Sequence, residues 1–271
     1  MKRHSVTELK TYDACRREHQ FNYIDRLTLR EPPRGAPTLG SGVAVHYVVE
    51  TICRDFPSTQ PEKRDVELRA HDSLAEYYEG RDNAEQLVAK FLPGVLRAVA
   101  KIPSDVWETD WWVEHDMSRQ HEDFGGVPFE VIGRPDMFNI NNGVITLADM
   151  KTTATDPLPY MLWEPQIRYY AWMLDSMFPG NVIQYRYVCV PTSEGKPPAQ
   201  SPPWVFTPRA MRATEREITS IVTEMSRRDR RPSYSRRCDW CNFNRICKAV
   251  MTGGDASSVI HDEYVTRPPR S

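Results

Sequence analysis

Hydrophobic and polar positions divide the chain into a helical part and a mixed part. Before Pro103, apolar residues recur every three or four positions, which is the period of a helix buried on one side. Ser5 and Glu8 form a capping-box pattern that marks the start of the first helix. The expected helices span Ser5 to Cys15, about Ser41 to Arg54, and hairpins over residues 61–102, where Pro93-Gly94 should bend or break the chain.

After Pro103 the pattern changes to the short runs that are typical of strands. Asn141-Asn142-Gly143 is a strong tight-turn signal between two of them. Pro165 to Phe178 predicts an amphipathic helix, and Thr207-Pro208 begins a long one. The expected strands are Trp107–Asp116, Val127–Ile132, Met137–Ile140, Val144–Met150, Asn181–Val190 and Trp204–Phe206.

Composition narrows the class of protein. The chain has 271 residues, of which 40% are hydrophobic and 27% charged, and this excludes a disordered, collagen-like or small disulfide-scaffold protein. No apolar run reaches the roughly 20 residues that cross a bilayer. We therefore expect a soluble protein of the cytoplasm that has no membrane partner.

Charge changes the picture only locally. The formal net charge is -2, which gives no global reason to bind a polyanion. One short stretch is strongly basic, and it is either a solvated helix end or a phosphate-binding patch. Its arginines are Arg227, Arg228, Arg230, Arg231, Arg236 and Arg237.

Two aspartates and a lysine are the strongest sign of chemistry. Gly133-Arg134-Pro135-Asp136 is followed, twelve residues later, by Asp149-Met150-Lys151. Residues two apart on a strand point the same way, so Asp149 and Lys151 share one face. A hairpin through the Asn-Gly turn would also place Asp136 near Asp149.

Two carboxylates in one cleft repel each other unless a cation compensates them. Mg²⁺ takes few carboxylates together with waters and phosphate oxygens, and a lysine beside it can orient water and stabilise phosphate charge. Such a set suits phosphodiester hydrolysis. The alternative is a surface Asp–Lys ladder, but the preceding run Val144-Ile145-Thr146-Leu147-Ala148 is too apolar for one.

Three cysteines crowd near the C-terminus as Cys238-x2-Cys241-x5-Cys247. A metal site needs a fourth ligand, and Cys15 in the first helical segment is the leading candidate. Four thiolates suit either zinc or an iron–sulfur cluster, and the spacing alone does not decide between them.

Taken together, these features resemble the PD-(D/E)XK nuclease superfamily. Within it, the sequence is most similar to the RecB-like branch with the CRISPR-associated "Cas-four" exonucleases and their phage relatives, over most of residues 5–250. The matching segments are Ser5 to Cys15, Gly42 to His46, Gly133 to Asp136 with Asp149-Met150-Lys151, Gln166 with Tyr170, and the closing cysteines.

The resemblance implies roles for the acidic site. Asp136 and Asp149 would ligate the metal, with the Met150 carbonyl as a possible third ligand, and Lys151 would act on the attacking water. His46 would be a further ligand, although a lone histidine beside an apolar stripe is more often a hydrogen-bonded core residue. Many relatives carry Glu where this chain has Asp149, and both acids bind metal.

Three further assignments follow from the resemblance. Gln166 and Tyr170 would contact DNA beside the site, whereas the residues alone fit a core tyrosine with a polar neighbour equally well. Glu114 occupies the place of a strand-borne acid. The four cysteines Cys15, Cys238, Cys241 and Cys247 would hold a [4Fe–4S] cluster that staples the two ends of the fold, with structural Zn²⁺ as the alternative.

The implied fold is α/β: a restriction-endonuclease-like mixed sheet flanked by helices, in one nuclease domain over residues 1–250. Residues 61–102 would be a helical insertion, 207–250 a helix and cluster-binding segment, and 251–271 a flexible tail.

The implied function is a DNA exonuclease that depends on Mg²⁺ or Mn²⁺. Its substrates would be single strands or DNA ends, cut with little sequence specificity. It would be bacterial or phage-encoded and could work beside recombination or CRISPR-adaptation proteins. The alternative is a non-cleaving iron–sulfur DNA-binding or adaptor protein, but clustered negative charge facing phosphate gives a pure binder no advantage.

Overall fold

The computed structural model describes most of the chain in nine segments. These are residues 1–30, 39–56, 62–80, 83–102, 104–107, 109–153, 164–191, 199–227 and 231–268. The strands are β1 (Lys2–Ser5), β2 (Leu27–Leu29), β3 (Trp112–Val113), β4 (Met117–Glu122), β5 (Pro128–Gly133), β6 (Met137–Asn141), β7 (Val144–Thr153), β8 (Val182–Pro191), β9 (Ala199–Gln200), β10 (Trp204–Val205) and β11 (Tyr264–Thr266).

The helices of the same segments lie mainly where the helical periodicity predicts them. They are α1 (Val6–Ala14), α2 (Arg16–His19), α3 (Leu39–Asp55), α4 (Lys63–Tyr77), α5 (Ala84–Val99), α6 (Ser104–Trp107), α7 (Pro165–Met177), α8 (Pro208–Ser226), α9 (Asn244–Met251) and α10 (Ala256–Glu263). A π-helical turn spans Gln20–Ile24 and a 3-10 turn spans Arg236–Trp240. None of the described helices combines the length and the apolar character that a membrane crossing requires.

Internal contacts group the chain into two compact units, each built from separate stretches of sequence. The first unit contains Met1–Ala36, Gln120–Ile132 and Glu215–Ser271. The second contains Pro37–Arg119 and Gly133–Thr214.

A mixed sheet forms the centre of the second unit. Its strand order is β10-β8-β7-β6-β3, and β9 pairs with β8. β7 and β8 run parallel, whereas the other neighbours are antiparallel. Helices α3 and α5 contact this sheet, and so does α7. The predicted α/β class, a mixed sheet flanked by helices, is therefore confirmed.

The β6–β7 hairpin sets the register on which the acidic residues depend. Asn141 pairs with Val144, so the loop is the two residues Asn142 and Gly143, whose φ values are 48° and 77°. Two positive φ values in succession are typical of the type I′ turn that suits the strand twist. The resulting register pairs Met137 with Ala148, which brings Asp136 opposite Asp149.

Helices α3, α4 and α5 build the main apolar core of the second unit. They bury Val48, Leu74 and Val95 together with Met150 of β7. Of the expected bend or break at Pro93, a break does not occur, because α5 continues through the proline to Val99. Residues buried on both sides of the proline pack into one core, which offsets the lost hydrogen bond.

The expected strand over residues 107–116 is also wrong. Ser104–Trp107 is helical, and only Trp112–Val113 pairs as a strand. The Trp111 indole N–H donates to the carbonyl of Val106 at 2.7 Å. Trp107 and Trp111 therefore fill the helical core, and their aromatic character does not indicate a strand here.

The first unit begins with a strand that the sequence pattern does not reveal. β1 has only four residues and pairs in parallel with β5, whose other neighbour is β4. Helix α1 follows at once, and the Glu8 N–H donates to Ser5 Oγ at 3.0 Å, as the capping pattern predicts. The Glu8 carboxylate turns instead to His19, whose Nε2 lies 3.0 Å from Oε1.

Residues 252–268 are not the loose tail that their composition suggests, and residues 269–271 lie outside the described part of the chain. Asp255 caps α10 by accepting from the N–H groups of Ser257 and Ser258. β11 then pairs with β2, and Tyr264 is buried against Phe243. A capped helix and one buried aromatic anchor are enough to order a polar segment.

We predict that Gly143→Ala destabilises the second unit by about 1 kcal/mol, because an L side chain at positive φ is strained. Space is not the cause, since a Cβ at Gly143 would meet nothing within 4 Å. Urea unfolding measures the change. Gly94→Ala is the matched control: it lies inside α5, where alanine stabilises a helix, so its effect should have the opposite sign. Equal effects of the two changes would contradict the turn assignment.

Candidate active site

The end of the β6–β7 hairpin brings the predicted acidic set together. Lys151 Nζ lies 2.6 Å from Asp149 Oδ2, and the Met150 N–H donates to Asp136 Oδ2 at 2.8 Å. The Asp149 side chain is only 4% exposed, whereas that of Lys151 is 31% exposed. The lysine thus reaches solvent while the carboxylates stay inside. The predicted shared face of Asp149 and Lys151 is confirmed.

Helix α3 adds a histidine to this set. His46 Nδ1 lies 3.6 Å from Asp136 Oδ2. Burial lowers the pKa of His46, and the charge of Lys151 lowers it further, against the opposing charge of Asp149. The imidazole is therefore neutral at ordinary pH, which is the form that can donate a lone pair to a metal.

The surroundings of Asp136 and Asp149 disfavour the negatively charged form of both carboxyl groups. Burial and then the charge of Asp136 raise the pKa of Asp149 to about 6, although Lys151 opposes both effects. Burial also raises the pKa of Asp136, against Lys151 and the Met150 N–H. For Lys151, burial lowers the pKa, but the two carboxylates outweigh it and the pKa is raised. The lysine is thus a stable ammonium.

Glu114 stands beside these residues in an unusual backbone conformation. Its φ is 46°, which non-glycine residues rarely adopt, and its N–H donates to the Asp136 carbonyl at 3.0 Å. Burial, then the charges of Asp136 and Glu50, raise the pKa of Glu114 to about 7. Strain of this kind collects at functional sites.

Glu50 is a member of the site that the sequence pattern misses. It lies one helical turn after His46, on the same side of α3, and its charge raises the pKa of both Glu114 and Asp136. Glu50 also forms an ion pair with Arg54. The four-residue spacing from His46 is the signal that could have found it.

Gln166 and Tyr170 hold the chain just before Asp136. The Tyr170 hydroxyl donates to the Arg134 carbonyl at 2.9 Å and accepts from Gln166 Nε2 at 3.2 Å. Tyr170 is only 5% exposed. In this structure the pair positions backbone, and its contact with DNA stays a prediction.

The donor set fits a divalent cation in its chemistry. Two buried carboxylates with raised pKa values and a neutral imidazole would all gain from a positive charge between them. Within the described segments, no three or more His, Cys, Asp or Glu side chains are arranged to hold a metal ion. The fit is therefore one of donor chemistry, without a preformed cage of ligand side chains. The side chain of Met150 is core, so only its carbonyl is available as a ligand.

The four motif cysteines lie in the first unit. None of the six cysteines of the chain, all within described segments, forms a disulfide. Burial raises the pKa of Cys241 to about 11, and the nearby charges of Cys247 and Cys15 add to it. Burial also raises the pKa of Cys247, where Cys15 and Cys238 contribute. These electrostatic contributions link Cys241 and Cys247 with Cys15 and Cys238, but within the described segments no three of the thiols are arranged to hold a metal ion.

The arginine cluster also belongs to the first unit. Arg227, Arg231, Arg236 and Arg237 are exposed, whereas Arg228 and Arg230 lie outside the described residues. Arg237 forms an ion pair with Glu18 at 3.2 Å.

Comparison with known proteins identifies the family of this chain. The sequence matches the model of the PD-(D/E)XK nuclease superfamily over residues 3–248. The chain therefore belongs to the PD-(D/E)XK nuclease superfamily. No curated protein matches its sequence.

Two solved structures are similar in fold. One is a candidate exonuclease from Eubacterium rectale, with a TM-score of 0.51 and 12% sequence identity, covering 98% of this chain and 90% of that one. The other is the protein SSO0001, with a TM-score of 0.42 and 17% identity, covering 78% of this chain and 98% of that one.

We predict that Glu114→Gln stabilises the metal-free protein in a pH-dependent way. The pKa of Glu114 is about 7 in the folded protein, above its ordinary value of 4.5. Below about pH 4.5 the carboxyl group is protonated and costs no stability, whereas its negative charge destabilises the fold as the pH rises through 7. The glutamine variant should gain on the order of 1 kcal/mol near pH 8 and little near pH 5. Urea unfolding in a chelator measures both.

Glu67→Gln is the control, because this helix glutamate is half exposed and lies 3.8 Å from Lys63. It should change the stability little at either pH. A gain for Glu114→Gln that is the same at both pH values would contradict the electrostatic origin.

Proposed function

We propose that this nuclease is a metal-dependent DNA exonuclease that acts on single strands or DNA ends with little sequence specificity. One observation carries the proposal: Asp136, Asp149 and Lys151 converge at the end of one hairpin in a chain of the PD-(D/E)XK superfamily. A binding module has no use for two buried carboxylates aimed at phosphate.

His46, Asp136, Asp149 and the Met150 carbonyl would hold Mg²⁺ or Mn²⁺. The bound cation would polarise the scissile phosphate and activate water. The protein's part is to hold these donors in fixed positions, and the cation would offset the burial that raises the pKa of both aspartates. The β6–β7 register fixes the aspartates, and the Met150 N–H holds Asp136 in place.

Lys151 would work as a cation. Its raised pKa makes it a poor proton acceptor and a strong hydrogen-bond donor. At 2.6 Å from Asp149 Oδ2 it is tied to a ligand and still reaches solvent, so it can orient water and stabilise charge on phosphate. Glu114, whose pKa is about 7, is better suited to take up a proton near neutral pH.

The choice of an exonuclease has two supports. The sequence resembles the RecB-like branch, and the structural neighbour from Eubacterium rectale is described as a candidate exonuclease. The arginines of the first unit, and Gln166 with Tyr170 in the second, would guide the strand to the site.

The test is degradation of end-labelled DNA by the full chain with Mg²⁺ or Mn²⁺ and with a chelator. We predict that Lys151→Ala lowers the rate at least about 100-fold, because charge stabilisation at phosphate is lost. Lys63→Ala, a 91% exposed lysine of the same unit, is the matched control and should keep full activity. A circular single strand, which has no ends, should resist.

Degradation that is equal in the wild-type protein and Lys151→Ala, or absent from both, would count against the nuclease proposal. The second outcome would favour a non-cleaving DNA-binding protein. Cleavage of the circular strand at the linear rate would make it an endonuclease.

We also propose that Cys15, Cys238, Cys241 and Cys247 hold a [4Fe–4S] cluster. Four thiols without disulfides, drawn from both ends of the sequence, support it. The Phe243 N–H already points at Cys241 Sγ, 3.5 Å away, which is the kind of hydrogen bond that stabilises a thiolate. The cluster would stabilise the first unit and need not take part in the cleavage reaction.

Protein purified without air should be brown and contain about four iron atoms per chain. Cys247→Ala should lose the iron, whereas Cys53→Ala, a buried cysteine of the second unit, should keep it. If the protein contains one zinc atom per chain, the site is a zinc site and not an iron–sulfur cluster. If it contains no bound metal at all, both assignments are wrong.

A further inference from the structure

Trp240 is the most exposed large hydrophobic residue that the structure describes, at 86%. Tyr234, six residues earlier, is 60% exposed. An exposed aromatic side chain set among basic residues is a candidate position for stacking with a ligand. Neither residue belongs to the acidic site of the second unit.

The backbone that carries Trp240 is well held. Trp240 ends the 3-10 turn Arg236–Trp240, and Ser235 Oγ accepts from the Arg237 N–H at 3.2 Å at its start. Asn244 Nδ2 donates to the Cys238 carbonyl at 2.6 Å, within the turn. An exposed ring on a fixed turn loses little entropy when a ligand covers it.

Basic residues outnumber acidic ones in the sequence around this ring. Side chains three apart eclipse in a 3-10 turn, so Arg237 and Trp240 project to the same side. Arg237 is 48% exposed despite its ion pair with Glu18, and Arg236 is exposed without an ion pair among the residues the structure describes. Residues 231–248 contain five basic residues and one acidic residue, Asp239, in a chain whose net charge is -2.

We propose that the Trp240 surface, defined as Tyr234, Arg236, Arg237 and Trp240, binds single-stranded nucleic acid. Trp240 and Tyr234 would stack on unpaired bases, and the two arginines would contact phosphates. Aromatic rings between basic residues are how proteins hold single strands without reading sequence. A duplex keeps its bases stacked on each other, so it offers these rings nothing.

The proposal rests on the proposed function, because it names the strand-binding residues of the same nuclease. The two proposals have different requirements, because strand binding at the Trp240 surface needs neither the acidic site nor a divalent cation. An acidic protein partner is the other occupant that charge alone would allow, and it would not distinguish single strands from duplex.

The test is fluorescence anisotropy of a labelled oligothymidine, titrated with full-length Lys151→Ala protein without added divalent cation. We expect Trp240→Ala in this background to weaken binding about tenfold, which is a stacking loss, and Trp240→Phe to keep most of the affinity. Phe124→Ala is the matched control, because this ring is 67% exposed in the same unit. Its neighbour in the sequence is the acidic Asp123, so we expect this change to leave the affinity for the oligothymidine unaltered.

The salt dependence of the affinity distinguishes contacts with phosphates from stacking on bases. Arg236→Gln should lower the slope of log affinity against log salt by about 0.7, the value for one phosphate on a single strand. Trp240→Ala should leave the slope unchanged while lowering the affinity. Unchanged cysteine-bound metal and circular dichroism show that each variant is folded.

Binding by Trp240→Ala that equals the parent, an equal loss for Phe124→Ala, or an equal loss on duplex DNA would each overturn the proposal. The nuclease assignment fails separately. If the wild-type protein cuts DNA and Trp240→Ala binds normally, only the Trp240 surface is wrong. If the strand binds through Trp240 and nothing is cut, only the nuclease is wrong.

Discussion

Two carboxylates buried side by side are the constraint on which the acidic site depends. Asp136 and Asp149 meet because a two-residue turn fixes the register of β6 and β7. The fold tolerates their repulsion through Lys151, the Met150 N–H and nearby His46, yet both pKa values remain raised. Such an arrangement costs stability and is ready for a cation. It explains why the surrounding backbone, from Glu114 to the Arg134 carbonyl, is so closely held.

The two units contribute different chemistry to one nuclease. The second unit holds the acids and the lysine on a rigid mixed sheet, where small errors of position would matter most. The first unit holds the four motif cysteines, Arg236, Arg237 and Trp240. In our proposal the second unit cuts and the first unit binds the strand, so each can be impaired without the other.

Much of the acidic site is readable from the sequence because its members are close along the chain. Asp149 and Lys151 share a face by strand alternation, and the Asn-Gly turn places Asp136 beside them. His46 comes from the resemblance to relatives, since a histidine on a helix has no local sign of its neighbours. Glu50 escapes notice because acids are ordinary on helices, and only the folded structure brings its charge close enough to raise the pKa of Glu114.

The sequence by itself determined the longer helices, the hairpin and the spacing of acids and thiols, because turns and periodic burial act over a few residues. Only the tertiary structure decided which distant segments pair: β1 with β5, β11 with β2, and β7 parallel to β8. It also decided that Trp111 fills a helical core, that Tyr170 is buried, and that Trp240 is not. Those outcomes depend on which surfaces meet, and no local pattern encodes that.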